Sequence, residues 1–70
     1  MIVCQLSMLL GARRMNQSEL AARTGIHRDT IRRLYHDGWT SIRRDTLDRL
    51  CTTLEISVGE FLVWHPQQPP

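Results

Sequence analysis

A Thr24-Gly25 step divides one run of helix-forming residues in two, and this break constrains the fold more than any other feature of the sequence. Before the break, Asn16 is a favourable N-cap, and Glu19 stands three positions later, as in a capping box. Gly25 can adopt the left-handed conformation that ends a helix at little energetic cost. The sequence therefore predicts two short helices joined by a sharp turn at residue 25.

Apolar residues at helical spacing predict three more helices, which gives an all-α fold, a compact bundle of about five short helices. The helices are expected at about residues 3–14, 17–24, 28–36, 44–54 and 58–62. The start of the first is ambiguous, because the β-branched segment MIVC could instead be extended, with the helix beginning near Leu6 or Ser7. Ser57 and Glu60 form a second capping box, which opens the last helix.

One domain is expected over residues 1–65, since a chain of seventy residues supports a single small core. Three prolines within residues 66–70 forbid regular helix, so this segment is expected to be a flexible tail. No apolar run approaches the roughly 20 residues of a membrane span, and the segment MIVCQLSMLLGARR lacks the features of a signal peptide. A cytoplasmic protein with no membrane partner is the expectation.

The titratable residues do not form a recognisable catalytic or metal-binding pattern. Cys4 and Cys51 have no CxxC partner, so neither a zinc site nor a disulfide framework is expected, and a reduced compartment follows. His27, His36 and His65 are too scattered for a metal site, and no Ser or Cys stands with a His and a carboxylate in a catalytic motif. We therefore expect no enzyme activity, no cofactor and no metal.

Charge is distributed unevenly along the chain. The segment from Arg13 to Arg44 holds eight of the nine arginines and three acidic residues, a net charge of +5, whereas the remaining residues hold one arginine and four acidic residues, a net charge of −3. Such asymmetry is typical of a basic face that binds a polyanion. On composition alone, an ordinary solvated arginine-rich surface is an equal alternative.

The two helices around Gly25 have the arrangement of a helix-turn-helix. Ala21 is small enough to let the third helix cross the second. Ile26, Ile31 and Leu34 are expected to fill the angle between the two helices. The opposite face of the third helix remains free and carries the polar residues His27, Arg28, Asp29, Arg32, Arg33 and His36. Such a face suits the major groove of DNA, where one arginine can contact guanine O6 and N7 together.

These residues resemble the helix-turn-helix of the phage-repressor and Cro-like superfamily, also called the xenobiotic-response-element family. The defining positions of that family match Gln17, Ala21, Gly25, Ile31 and Leu34. The segments MNQSELAARTGIHRDTIRRL and TLDRLCTTLEISVGEFL are both similar to the family pattern, so the resemblance extends from about Leu6 to Leu62. It implies a lambda-repressor-like DNA-binding domain, with the helix-turn-helix at helices 2 and 3.

The resemblance also implies a function, that of a sequence-specific, double-stranded DNA-binding transcriptional regulator of bacterial or phage type, expected to be a repressor. Helix 3 would enter the major groove. The base-reading residues would be His27, Arg28, Asp29, Arg32 and Arg33. The phosphate contacts would come from Asn16, Gln17, His36, Thr40, Arg43 and Arg44. For Asp29, two roles are open: it accepts from a cytosine amino group, or it orients an arginine.

The structural roles of three further residues are left open by the sequence. His27 stands where the family commonly has a capping residue, so it either weakens the N-cap of helix 3 or contacts DNA. Glu55 is at a position often held by Gly or Asn, and it costs about 1 kcal/mol or more if its backbone is left-handed. Trp39 either packs under the loop after helix 3 or lies against a sugar-phosphate strand.

The two apolar ends of the domain are candidates for an interface. A single module reads only a few base pairs, so a homodimer on a palindromic operator is expected. The predicted contact residues are Ile2, Val3, Val63 and Trp64, although these ends could instead pair as two short strands. The runner-up function is an antitoxin or other protein-interaction module on the same fold, with a toxin or another protein as its partner.

Overall fold

Five α-helices and two short β-strands are formed by residues 1–66, the part of the chain that the computed structural model describes. In chain order they are β1 (Ile2–Cys4), α1 (Leu6–Ala12), α2 (Gln17–Thr24), α3 (Arg28–Tyr35), α4 (Arg44–Leu54), α5 (Val58–Phe61) and β2 (Leu62–Trp64). The predicted bundle of about five short helices is confirmed. Beyond Pro66, the predicted tail lies outside the described residues. No helix of residues 1–66 is long and apolar enough to cross a membrane.

The two ends of the domain pair with each other as a two-stranded antiparallel sheet. Val3 of β1 lies opposite Val63 of β2. Just outside the strands, Met1 and His65 exchange two hydrogen bonds: the amino terminus donates at 2.7 Å and the His65 N–H donates at 2.8 Å. The strand pairing considered for these ends is therefore confirmed, and it leaves Ile2 and Trp64 exposed on the surface.

The segment MIVC is extended, and α1 begins at Leu6. A first helix that starts at residue 3 is therefore wrong, and the alternative start near Leu6 is confirmed. Ile2 and Val3 are β-branched, and such side chains fit a paired strand better than the first turn of a helix.

All five helices share one apolar core. Its fully buried side chains are Leu6 and Leu10 of α1, Leu20 of α2, Ile31 and Leu34 of α3, Leu50 of α4 and Phe61 of α5. Ile26, in the turn between α2 and α3, is buried in the same cluster, as predicted. These contacts fix one side of α3 against the domain and leave its other side exposed.

The turn between α2 and α3 forms as predicted. Gly25 is left-handed, with φ of 73°, and its N–H donates to the Ala21 carbonyl at 2.9 Å. At the other end of α2, the Asn16 side chain accepts from the Glu19 N–H at 2.7 Å. The Glu19 carboxylate contacts Arg23 at 3.4 Å instead of reaching back to Asn16. Only half of the predicted capping box therefore forms.

Asp37 joins the end of α3 to the sheet. Its backbone is left-handed, with φ of 57°. Its Oδ1 accepts from the Cys4 N–H at 3.0 Å and from the Trp39 indole N–H at 2.8 Å. Trp39 is half-buried and packs against the core, as the packing alternative predicts. The end of α3, the loop after it and β1 are thereby held together.

Helix α4 ends at a left-handed residue that carries a side chain. Glu55 has φ of 55° and ψ of 51°. The N–H of the next residue, Ile56, donates to the Cys51 carbonyl at 3.0 Å, a bond that closes the last turn of the helix. Glu55 is therefore left-handed, and the backbone cost of about 1 kcal/mol or more that the sequence predicts for this case applies.

Glu55→Gly is expected to be more stable than Glu55→Ala by about 1 kcal/mol in free energy of unfolding, because glycine adopts left-handed backbone without a clash at Cβ. The alanine variant is the matched control, since it also removes the carboxylate. Denaturant titration of the two variants measures the difference. Equal stabilities would show that residue 55 carries no backbone strain.

Candidate nucleic-acid interface

Helix α3 has one buried side and one exposed side. At about 100° per residue, five residues of the exposed side fall within an arc of about 140°. These residues, here called the arginine face, are Arg28, Asp29, Arg32, Arg33 and His36. The side chains of Arg32 and Arg33 are 64% and 66% exposed, and Arg28 is exposed as well. The three guanidinium groups are therefore accessible to a ligand.

Asp29 lies between two of these arginines and contacts both. Its Oδ1 accepts from Arg32 Nη2, and its Oδ2 lies 3.1 Å from Arg33 Nε. The hydrogen bond from Arg32, together with the positive charge of Arg33, lowers the pKa of the Asp29 carboxyl from its ordinary value. The carboxylate therefore stays charged at lower pH than a free aspartate would, and the two ion pairs persist with it.

His27 caps the N-terminus of α3. Its Nδ1 accepts from the Asp29 backbone N–H at 3.1 Å, which satisfies one of the free donors in the first turn of the helix. An imidazole nitrogen can accept in this way only when it carries no proton. The sequence-based alternatives for His27 are a weaker N-cap or a contact to DNA, and neither includes capping by the His27 ring itself.

Two shallow depressions border the arginine face. The first is lined by Gln17, Arg28, Asp29 and Arg32. The second lies between α3 and the loop that follows it, and its lining includes Arg33, Thr40 and Arg43. Seven of the predicted contact residues are thus brought together around the exposed side of α3.

Three other predicted contact residues lie apart from these depressions. Asn16 uses its side-chain oxygen to cap α2. His36 follows the last turn of α3, where its ring meets the edge of Tyr35 at a centroid distance of 5.1 Å. Arg44 opens α4 and borders a separate open groove along that helix. Each lies near one end of a helix, but none lines a depression together with Arg28, Arg32 or Arg33.

Sequence reasoning missed three hydroxyl-bearing residues beside the arginine face. Thr30, Ser41 and Thr46 line the second depression, together with Arg33 and Arg43. For Ser41, the signal that could have found it is its place beside Thr40 in the loop before Arg43, because hydroxyl groups commonly donate to phosphate oxygens. Thr30 and Thr46 lie within α3 and α4, and no local signal marks them.

The described residues offer no metal centre. No group of three or more His, Cys, Asp or Glu side chains within residues 1–66 is placed to hold a metal ion. Burial raises the pKa of the Cys4 thiol. It also raises the pKa of the Cys51 thiol, which is less deeply buried. Both thiols are therefore poor thiolate donors.

The fold and this surface together define a small helix-turn-helix domain formed by α2 and α3, in which α3 has a basic, exposed side. A family model for the Cro/C1-type helix-turn-helix DNA-binding domain matches residues 5–67. The chain belongs to this family of DNA-binding domains, as the resemblance in the sequence predicts.

The structure is also similar to the crystal structure of a protein from Bacteroides fragilis that is described as a candidate DNA-binding protein. The TM-score is 0.75 and the sequence identity is 18%, over 89% of this chain and 98% of that chain. Similarity at this level of identity supports the fold alone. No curated protein matches the sequence.

Proposed function

We propose that the protein is a sequence-specific regulator of transcription that inserts α3 into the major groove of double-stranded DNA. The proposal is carried by the exposed arginine face on the helix that follows the Gly25 turn. The major groove is about 12 Å wide, so it admits an α-helix, and it displays a different pattern of donors and acceptors for each base pair. The proposed base-facing residues are His27, Arg28, Asp29, Arg32 and Arg33.

Residues around the arginine face are proposed to hold the phosphate backbone on either side of the groove. Gln17 is the first residue of α2, where free backbone N–H groups and the helix dipole attract an anion. The side chain of Arg43 is 84% exposed beside the start of α4. The other proposed phosphate contacts are Asn16, His36, Thr40 and Arg44. Such contacts fix the position of a protein on DNA without reading its sequence.

A domain that occupies duplex DNA excludes other proteins from the same base pairs, and we propose repression by this occupancy. Selection of bound duplexes from a random-sequence pool tests the proposal. We expect one short motif to be enriched over successive rounds. A bound pool with the same sequence composition as the input would contradict sequence-specific binding.

We propose that two copies bind one palindromic operator, because a single α3 reads only a few base pairs. The proposed contact residues are Ile2, Val3, Val63 and Trp64. Ile2 and Trp64 lie opposite each other across the sheet and are 56% and 67% exposed. Large apolar side chains exposed side by side often mark an interface. The two-fold axis of the dimer would match the symmetry of the operator.

Trp64→Asp is expected to weaken binding to the selected palindromic site by about 100-fold, because the gain from two linked half-sites is lost with the dimer. Sedimentation measures the loss of the dimer, and DNA titration measures the loss of affinity. Met8→Asp removes another exposed apolar side chain, on α1, and is the matched control. A Trp64→Asp protein that remains dimeric would place the interface elsewhere.

A further inference from the structure

We infer that Asp29 positions Arg33 to read a guanine, so that each operator half-site contains a guanine whose recognition depends on Asp29. This inference rests on the proposed insertion of α3 into the major groove. It assigns Asp29 a role in specificity through an arginine, without a contact of its own to a base.

Both carboxylate oxygens of Asp29 are already used within α3. Oδ1 accepts from Arg32, and Oδ2 lies 3.1 Å from Arg33 Nε. A cytosine amino group would have to compete with two charged guanidinium groups for the same oxygens, and charge-assisted hydrogen bonds are the stronger ones. The geometry therefore favours the orienting role of Asp29 over direct reading of cytosine.

Asp29 holds the two arginines through different nitrogens. Arg33 contacts Asp29 through Nε, which is not one of its two terminal Nη groups. Arg32 is contacted at Nη2, which is one of its terminal groups. A bidentate contact to guanine needs two parallel N–H donors, one for O6 and one for N7. Arg33 keeps its terminal pair of donors intact, and so it is the better guanine reader of the two.

An arginine that is held in place before binding is also more selective. It loses less rotamer freedom when it meets the base than a free side chain does. Guanine presents two acceptors in the major groove, whereas adenine presents an acceptor and an N6 donor that opposes an arginine N–H. The Asp29 backbone is fixed at the start of α3, where its N–H donates to His27 Nδ1, and Arg32 donates to the Asp29 carboxylate. These contacts place the Asp29 carboxylate 3.1 Å from Arg33 Nε, where its charge favours one direction of the Arg33 side chain.

Asp29→Asn in the whole 70-residue chain tests the inference, because asparagine keeps the shape and loses the charge. The wild-type motif is first selected from a random pool, and each base pair of that site is then changed in turn. At one guanine of each half-site, we expect the variant to lose about tenfold of the preference for guanine over adenine. Binding to random duplex DNA should tighten severalfold, since the arginine face loses a negative charge.

Asp48→Asn is the matched control, since it makes the same chemical change at an exposed residue of α4. It should keep the guanine preference of the wild type. Arg33→Lys retains the charge but not the planar pair of donors. It should lose the preference at the same base pair as Asp29→Asn, and the double variant should lose no more than Arg33→Lys alone.

Two outcomes would overturn the role of Asp29 while leaving the proposed function in place. In one, the wild type selects a motif, yet Asp29→Asn retains the wild-type preference at every position. In the other, Asp29→Asn and Arg33→Lys alter different base pairs. Thermal melts of all variants establish that they are folded. A wild type that selects no motif would instead overturn the proposed function, and this inference with it.

Discussion

Arg28→Ala and Arg33→Ala are each expected to weaken binding to the selected DNA site by about 1–3 kcal/mol, or roughly 5- to 150-fold in Kd. Each change removes an exposed guanidinium group from the arginine face, and with it the donors that would meet a base edge. The preference at one position of each half-site should relax at the same time. Titration against the selected site and its single-base-pair variants measures both effects.

Arg44→Ala is the control for this pair, because Arg44 opens α4 and is proposed to contact phosphate. It should weaken binding to all duplexes alike and reduce the slope of log affinity against log salt by about 1. If all three variants showed the same loss on every sequence, α3 would not be the helix that reads the bases.

Phe61→Ala is expected to lower the free energy of unfolding by about 3–5 kcal/mol. Phe61 is the largest of the fully buried side chains, and it lies where α5 passes into β2. A domain of this size has a total stability of only about 3–5 kcal/mol from its core, so the variant should be largely unfolded at room temperature. Circular dichroism and denaturant titration measure the loss.

Val58→Ala is the matched control on the same helix, because Val58 is exposed. Its effect should stay within about 0.5 kcal/mol. A Phe61→Ala protein as stable as Val58→Ala would show that the core is not organised around Phe61.

The helix-turn-helix could be predicted from the sequence because its signals are local. The Asn16 cap, the glycine at residue 25 and the apolar spacing of Ile31 and Leu34 all act within a few residues of the structure that they define. The predicted third helix at 28–36 differs from the observed Arg28–Tyr35 only at its last residue.

The sheet could be predicted only as an alternative, because its two halves are distant in the sequence. Met1 and His65 are 64 positions apart. Three-residue segments, each with two residues of high β-propensity, do not form a strand until the other end is in place beside them. The conformation of the MIVC segment therefore depends on its pairing with β2, and the local sequence pattern alone does not determine it.

The candidate site was predictable in its residues but not in its contacts. Helical periodicity places Arg28 and Arg33 on the exposed side of α3, and the structure agrees. The sequence alone did not show that Asp29 contacts Arg33 through Nε and Arg32 through Nη2, since both spacings allow an ion pair. Nor did it predict the His27 cap, because imidazole is an uncommon capping group compared with Ser, Thr, Asn or Asp.

Methylation interference on the selected duplex tests most directly whether α3 lies in the major groove. Dimethyl sulfate methylates guanine at N7, in the major groove, and adenine at N3, in the minor groove. A methyl group on N7 blocks the acceptor that an arginine needs. We predict that protein-bound DNA is depleted of N7-methylated guanine in each half-site. Depletion confined to N3-methylated adenine would contradict the account.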